Sequence, residues 1–305
     1  MQAKRKKSQI VGLIIGPVLF VIILLWDFVP DNPEAVRTAA CAAWMAAWWM
    51  TEAIPLAATA LFPLILFPIL GIATGGKIAP VYFNSTIFLF VGGFLIAISM
   101  ERWNLHKRIS LLIIRFIGTG LSRLILGFMI ASAFLSMFIS NTATTIMMLP
   151  IGMAIISKME EDYSNEKVHT FSVALMLGIA YAASVGGVAT LVGTPPNLVF
   201  RQIFANTFPG GPEISFGTWM IFGVPLSAVM LIFVWIMVTK VLFRFSKDIR
   251  VDRSVVDKEY RELGRTGFEE KAVLIVFALT GLLWIFRKEI DIGILSIPGW
   301  SGLLG

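Results

Sequence analysis

Between Phe138 and Pro150 the chain reads Phe-Ile-Ser-Asn-Thr-Ala-Thr-Thr-Ile-Met-Met-Leu-Pro. With Ser136 just upstream, it gathers Ser136, Ser140, Asn141, Thr142, Thr144 and Thr145 between two apolar segments. Inside a bilayer, polar groups without water cost several kcal/mol each, so such a cluster needs an ion, a polar solute or neighbouring backbone as partner. Hydroxyl and amide oxygens are hard ligands that suit an alkali cation, and a helix N-terminus attracts an anion. Taken alone, Ser-Asn-Thr also fits an ordinary helix N-cap.

A second interruption, Gly186-Gly187-Val-Ala-Thr-Leu-Val-Gly193-Thr194-Pro195-Pro196-Asn197, follows the apolar run 171–185. Paired glycines and paired prolines end a helix here. Alone it could be a plain extramembrane turn. At membrane depth, its free carbonyls would face protein or a water-filled cavity and could coordinate a cation. Two such breaks in one chain point to one shared site, with sodium at the oxygens and an anion at the half-helix N-termini. A third element, Trp48-Trp49-Met50-Thr51-Glu52-Ala53-Ile54-Pro55, puts one carboxylate between two apolar runs. Glu52 is read as a solvated residue at a turn, with a proton relay as the other reading.

Nothing in the polar stretches joins a nucleophile, a base and an orienting group, and no cofactor fingerprint occurs, so an enzyme is not expected. His106 and His169 lie in charged segments without ligand-spaced partners, which argues against a metal site other than sodium. Cys41, the single cysteine, reads as a small buried side chain. Trp44, Trp48 and Trp49 read as interface anchors and packing residues, and Met147-Met148 as packing.

The elements that must position these groups are set by composition. Of 305 residues, 57% are hydrophobic and only 14% charged, against roughly a quarter charged in a soluble domain, so the chain reads as an all-α polytopic membrane protein. Apolar runs occupy 10–29, 38–50, 53–72, 86–100, 124–157, 171–185, 219–243 and 272–286, several of them too short or interrupted for a simple span. The first, behind Lys4-Arg5-Lys6-Lys7, is read as an uncleaved span. A crossing helix needs about 20 residues, so the run 124–157 is either one long helix or a hairpin that enters and returns. Its polar middle favours the hairpin. If the N-terminus is cytoplasmic and the hairpin re-entrant, residues 101–123, 158–167 and 240–271 also face the cytoplasm. The N-terminus and these three segments then hold 20 of the 25 Lys and Arg, leaving Arg37, Lys77, Arg201, Arg287 and Lys288 elsewhere. The +6 charge is thus topological, with no call for a nucleic-acid partner. Segment 244–271, with sparse apolar positions at Val251, Val255, Val256 and Leu263, is expected to lie along the inner membrane surface, and 103–120 reads either as a helical connector or as an interfacial helix.

The ordered motifs Phe83-Asn84 to His106-Lys107-Arg108, Thr-Glu-Ala-Ile-Pro, Ser-Asn-Thr in a hairpin and Gly-Thr-Pro-Pro-Asn in a broken helix resemble those of the divalent anion sodium symporters, from about residue 35 onward. The resemblance implies an inverted-repeat fold with a re-entrant hairpin and a broken transmembrane helix in the first repeat. It also implies a homodimer working as an elevator in the inner membrane. On that pattern, residues 1–120 form scaffold-like spans and a connector, 121–217 the hairpin and broken helix, and 218–305 spans joined by a cytoplasmic amphipathic helix. Sodium would be held by Ser136, Ser140, Asn141, Gly187, Ala189 and Gly193. The substrate carboxylate would meet Ser140, Asn141, Thr142, Thr194 and Pro195. Ala189 stands where many relatives have glycine. No second Ser-Asn-Thr follows, and the apolar ending Gly302-Leu-Leu-Gly305 fits the N-terminal portion of a longer protein. The activity implied is sodium-coupled transport of a dicarboxylate or tricarboxylate such as succinate, malate, fumarate or citrate. The alternatives are sulfate transport, anion exchange, or a non-transporting half-module.

Overall fold

The computed structural model describes residues 6–26, 28–118, 120–243, 245, 253–291 and 296–302. It is almost entirely helical, with a two-stranded antiparallel ribbon of β1 (Ile290–Asp291) and β2 (Ser296–Ile297) near the C-terminus. Two compact units divide at 88/89.

In the first unit, α1 (Lys7–Leu25) and α2 (Pro33–Thr51) run antiparallel, since Gly12 stands against Thr51 and Gly16 against Trp44 and Trp48. Asn32 caps α2 by accepting the Ala35 N–H at 3.1 Å, ahead of Pro33 at the first helical position. Phe20, Trp44, Trp48 and Phe62 form an edge-on and tilted aromatic cluster, which assigns Trp44 and Trp48 to packing. Glu52 ends α2 in the left-handed conformation and is exposed, which agrees with the solvated-turn reading. The run 53–72 divides into α3 (Leu56–Ala60) and α4 (Phe62–Ile69), with Pro63 in the first turn of α4. α5 (Gly75–Tyr82) leads to α6 (Ser85–Arg102), within which the unit boundary falls.

The second unit is organised by α8 (Leu121–Ser136), α9 (Asn141–Asp162) and α10 (Asn165–Val188), preceded by α7 (Leu105–Ile117). Close approaches at glycines give the register. Gly178 of α10 stands against Ile125 and Met129 of α8, and Gly186 against Ala133, so these two helices are parallel. Gly152 of α9 faces Leu175, Met176 and Ile179 of α10, and Asn141 faces Gly187, so α9 is antiparallel to α10. It follows that α8 and α9 are antiparallel to each other. The apolar run 124–157 is a helical hairpin with its tip at 137–140, where the polar residues predicted it. A buried core of Ile125, Phe128, Met129, Met148, Phe171 and Leu175 fills the three-helix interior. Beyond the break at 189–194 come α11 (Pro195–Thr207) and α12 (Phe216–Ile236), which passes into a π-helical turn, Met237–Leu242.

The remaining helices are α13 (Arg253–Glu262) and α14 (Phe268–Ile285). The segment 103–120 packs through α7 onto α8, with Leu111 and Ile114 fully buried and Ile114 against Gly127, as a helical connector would. Its charged face is also occupied. Lys107 pairs with Glu259 at 2.7 Å, Arg115 with Asp257 at 2.8 Å, and Arg108 with Glu270 of α14. The segment 244–271 therefore forms, over 253–262, a helix clasped by ion pairs to α7, while 244 and 246–252, including Val251, lie outside the described residues. Burial holds the His106 imidazole below its ordinary value, and its Nδ1 lies 3.1 Å from the Met100 carbonyl.

Among the described residues, five helical stretches are long and apolar enough to cross a membrane: 7–25, 75–102, 141–162, 166–188 and 216–242. The stretch 216–242 is strongly apolar yet little of it is buried, with Val229, Ile232 and Phe233 turned outward. A water-exposed apolar belt of this kind is untenable, whereas lipid matches it. This is a multi-pass membrane protein.

Candidate functional site

At the hairpin tip, α8 ends at Ser136 and α9 starts at Asn141, with Ser140 as its N-cap accepting the Ala143 N–H at 3.3 Å. The N-cap reading of Ser-Asn-Thr and the site reading are thus compatible. The Ser136 hydroxyl donates to Asn141 Oδ1 at 2.7 Å, and Thr145 donates to the Asn141 carbonyl at 2.8 Å. The N–H groups of Asn141 and Thr142, first in the helix, have no acceptor among the described residues, as the first turn of a helix dictates. Ser140 and Thr142 are exposed, whereas Ser136 is fully buried.

The second break meets this tip directly. A side chain at Gly187 would strike Asn141 Oδ1, and one at Gly193 would stand 2.6 Å from the Gly187 carbonyl and 2.8 Å from the Ser136 carbonyl. Only glycine allows this approach of the two backbones. Four of the six expected sodium residues, Ser136, Asn141, Gly187 and Gly193, therefore converge around oxygen atoms at one spot. Ser140 stands beside them with its hydroxyl used as the cap. Ala189 is buried, and its carbonyl lies against Gly223 of α12. Of the expected substrate residues, Thr194 caps α11 half-buried and Pro195 is exposed next to it.

Sequence reading named Asn197 only as part of a motif, yet its amide holds the loop closed. It donates to the Gly187 carbonyl at 3.0 Å and to the Thr190 carbonyl at 2.7 Å. Thr190, also unassigned, donates to the Met137 carbonyl of the hairpin tip and accepts the Gly193 N–H at 3.1 Å. From α12, Trp219 donates to the Val188 carbonyl at 2.9 Å and Ser227 to the Val185 carbonyl at 2.7 Å. These bonds give partners to carbonyls that the end of α10 would otherwise leave open, each keeping a second lone pair. The available signal was Asn197 itself, a buried amide at the third position of a helix that opens with two prolines. Replacing it by alanine orphans two buried carbonyls at about 1–3 kcal/mol each. Asn197→Ala is expected to lower the thermal unfolding midpoint of the purified protein.

The electrostatics of the two half-helices differ. Both N-termini carry positive dipole ends. Pro195 and Pro196 have no N–H, and the Asn197 N–H is directed to the Thr194 carbonyl at 3.2 Å. At α11 the field is therefore present without directed donors from its first turn. The free donors belong to α9.

The sequence profile of the family described as citrate transporters matches residues 46–300. The sodium-dependent dicarboxylate transporter SdcS of Staphylococcus saprophyticus is 48% identical over 288 residues, covering 92% of this chain and 55% of that protein. Its Staphylococcus aureus namesake is 44% identical over 297 residues, covering 94% and 57%. The chain spans about half the length of the curated relatives it matches. In keeping with the resemblance to the divalent anion sodium symporters, this chain belongs to the citrate transporter family.

Proposed function

We propose that this chain supplies a half-site for sodium-coupled secondary transport of a dicarboxylate or tricarboxylate, such as succinate, malate, fumarate or citrate, across the inner membrane. The observation that carries the reading is the convergence of Ser136, Asn141, Gly187 and Gly193 beside two helix N-termini. Without a cation, the Ser136 hydroxyl proton bridges to Asn141 Oδ1. Sodium coordinated by both oxygens replaces that proton, and Ser136 turns its O–H away. The carbonyls of Gly187 and Ser136 complete an all-oxygen set.

The ordered tip then presents the N–H groups of Asn141 and Thr142 and the hydroxyls of Ser140, Thr142 and Thr194 to a carboxylate. The double proline of α11 leaves that helix to contribute field alone. Because the cation both fixes the tip and offsets the anion's charge, sodium and substrate binding are positively coupled. The names of the relatives, sodium-dependent dicarboxylate transporters, support this pairing of ion and substrate.

The family resemblance adds a re-entrant hairpin, a homodimer and an elevator-type movement. In that movement, 1–120 and 218–305 flank a mobile 121–217. A cytoplasmic N-terminus follows from the distribution of 20 of 25 basic residues. The test is uptake of labelled succinate into vesicles bearing the full-length protein, with and without an inward sodium gradient. Uptake is expected only with the gradient. Equal uptake without sodium would instead mark an exchanger, and absence of uptake of any dicarboxylate, citrate or sulfate would defeat the transport reading.

A further inference from the structure

Three of the five basic residues outside the cytoplasmic count, Arg201, Arg287 and Lys288, line one small cavity of the second unit together with Glu213, Ser215 and Leu191. The cavity holds about 30 Å³, room for a carboxylate head but not for a whole dicarboxylate. A carboxylate in its wall already meets two of the cations. Glu213, in the loop between α11 and α12, reaches Lys288 Nζ at 3.2 Å and Arg201 Nη2 at 3.6 Å. Among the described residues, no acidic group pairs with the Arg287 guanidinium, so three cations face one anion.

The setting keeps the cations on display. Backbone carbonyls that Arg287 and its neighbour would otherwise leave open are satisfied from the C-terminal segment. Trp300 N–H donates to the Phe286 carbonyl at 3.0 Å, and Ser301 donates to the Arg287 carbonyl through its N–H at 3.1 Å and its hydroxyl at 2.6 Å. The Ser215 hydroxyl is bound to Thr218, capping α12. Glu213 is held by long, solvent-reachable pairs, its side chain 53% exposed, and such pairs contribute little. The cavity is also close to the candidate site. Leu191 in its wall lies two residues before Gly193, and Arg201 lies six residues, about 9 Å along α11, beyond Pro195.

We propose that Arg201, Arg287 and Lys288 form a clamp for a carboxylate of a small free dicarboxylate, with Glu213 as a tethered, exchangeable stand-in that the incoming carboxylate displaces. The clamp collects anion beside the hairpin tip without sodium. The choice of a dicarboxylate as ligand rests on the transport reading above, and the test separates the two.

Full-length protein in nanodiscs is titrated with succinate in sodium-free choline buffer, and binding is read by NMR saturation transfer. Wild type is expected to bind. Glu213→Gln, which removes the stand-in's charge, is expected to bind about threefold more tightly, the scale of a weak exposed pair. Combined Arg287→Gln and Lys288→Gln is expected to weaken binding by about threefold to tenfold, the scale of two weak, solvent-reachable pairs. Asn141→Ala should retain the sodium-free binding. No sodium-free binding by wild type, weaker binding by Glu213→Gln, loss in Asn141→Ala, or a preference for inorganic phosphate over succinate would each overturn the clamp. Sodium-free binding in a protein that shows no sodium-driven uptake would defeat only the transport reading.

Discussion

Asn141→Ala in the full-length protein is expected to abolish sodium-driven succinate uptake while leaving membrane insertion and yield intact. The side chain stands between the two breaks. Its Oδ1 accepts the Ser136 hydroxyl at 2.7 Å and sits where any side chain on Gly187 would collide. On the proposed function, removing that oxygen deletes a sodium ligand, and hydrogen bonds or ligation involving a charge are worth about 1.5–3 kcal/mol, or at least about tenfold in sodium affinity. Alanine is at ease in a first helical turn, and Ser140 still caps α9, so the helix itself survives. Gly187→Ala should give the same phenotype from the opposite wall, by pushing Asn141 aside without changing its chemistry. Asn141→Asp separates the two roles. It keeps the cation ligand and adds negative charge beside the anion, so sodium should bind at least as well while the KM for succinate rises. Initial rates against sodium and against succinate distinguish these outcomes, and undiminished uptake by Asn141→Ala would remove the site assignment.

The sequence made this site legible because its signals are local and chemical. Hydroxyls and an amide in an apolar run, and glycine and proline pairs at the end of another, each mark a break on their own. The 34-residue stretch 124–157 is longer than one crossing needs, and its polar middle favours a chain that turns back. What remained hidden is what holds the breaks in shape. Thr190, Asn197, Trp219 and Ser227 reach carbonyls across distances in the chain of up to 53 residues, and nothing in their spacing announces those partners. A buried amide is recognisable as a binder of backbone only once the broken ends of α10 are placed beside it.

The ion pairs that join 103–120 to 244–271 were hidden for the same reason. Alternating charge with scattered apolar residues describes a helix on a membrane surface and a helix clasped to another by ion pairs equally well. Whether opposite charges lie within reach of each other is what the chain order conceals. Here Arg108 and Glu270, 162 residues apart, meet. The positive-inside argument is untouched, because it counts Lys and Arg whether or not they are paired.

That pair yields the largest expected effect on stability. Arg108 and Glu270 side chains are each 9% exposed. Beyond the carboxylate, the Arg108 guanidinium donates to the Gly264 carbonyl at 3.1 Å and the Leu263 carbonyl at 3.3 Å and lies over the Tyr260 ring at 5.5 Å. It thus fastens α7 to the turn after α13 and to the first turn of α14. Arg108→Met deletes all of these donors and leaves the Glu270 carboxylate buried without a counter-charge, at a cost of about 3–5 kcal/mol. The exposed partners Lys107–Glu259 and Arg115–Asp257 cannot compensate, each being worth at most about 1 kcal/mol. Combining Arg108→Met with Glu270→Leu removes both charges and fills the space with apolar side chains. It is expected to recover most of the loss, because a buried pair exchanged for hydrophobic residues is often close to neutral. Thermal unfolding of the detergent-purified protein should therefore rank wild type near the double variant, with Arg108→Met well below both. A double variant as unstable as the single would mean that the bonds to the Gly264 and Leu263 carbonyls, rather than the charge pair, hold α7 in place.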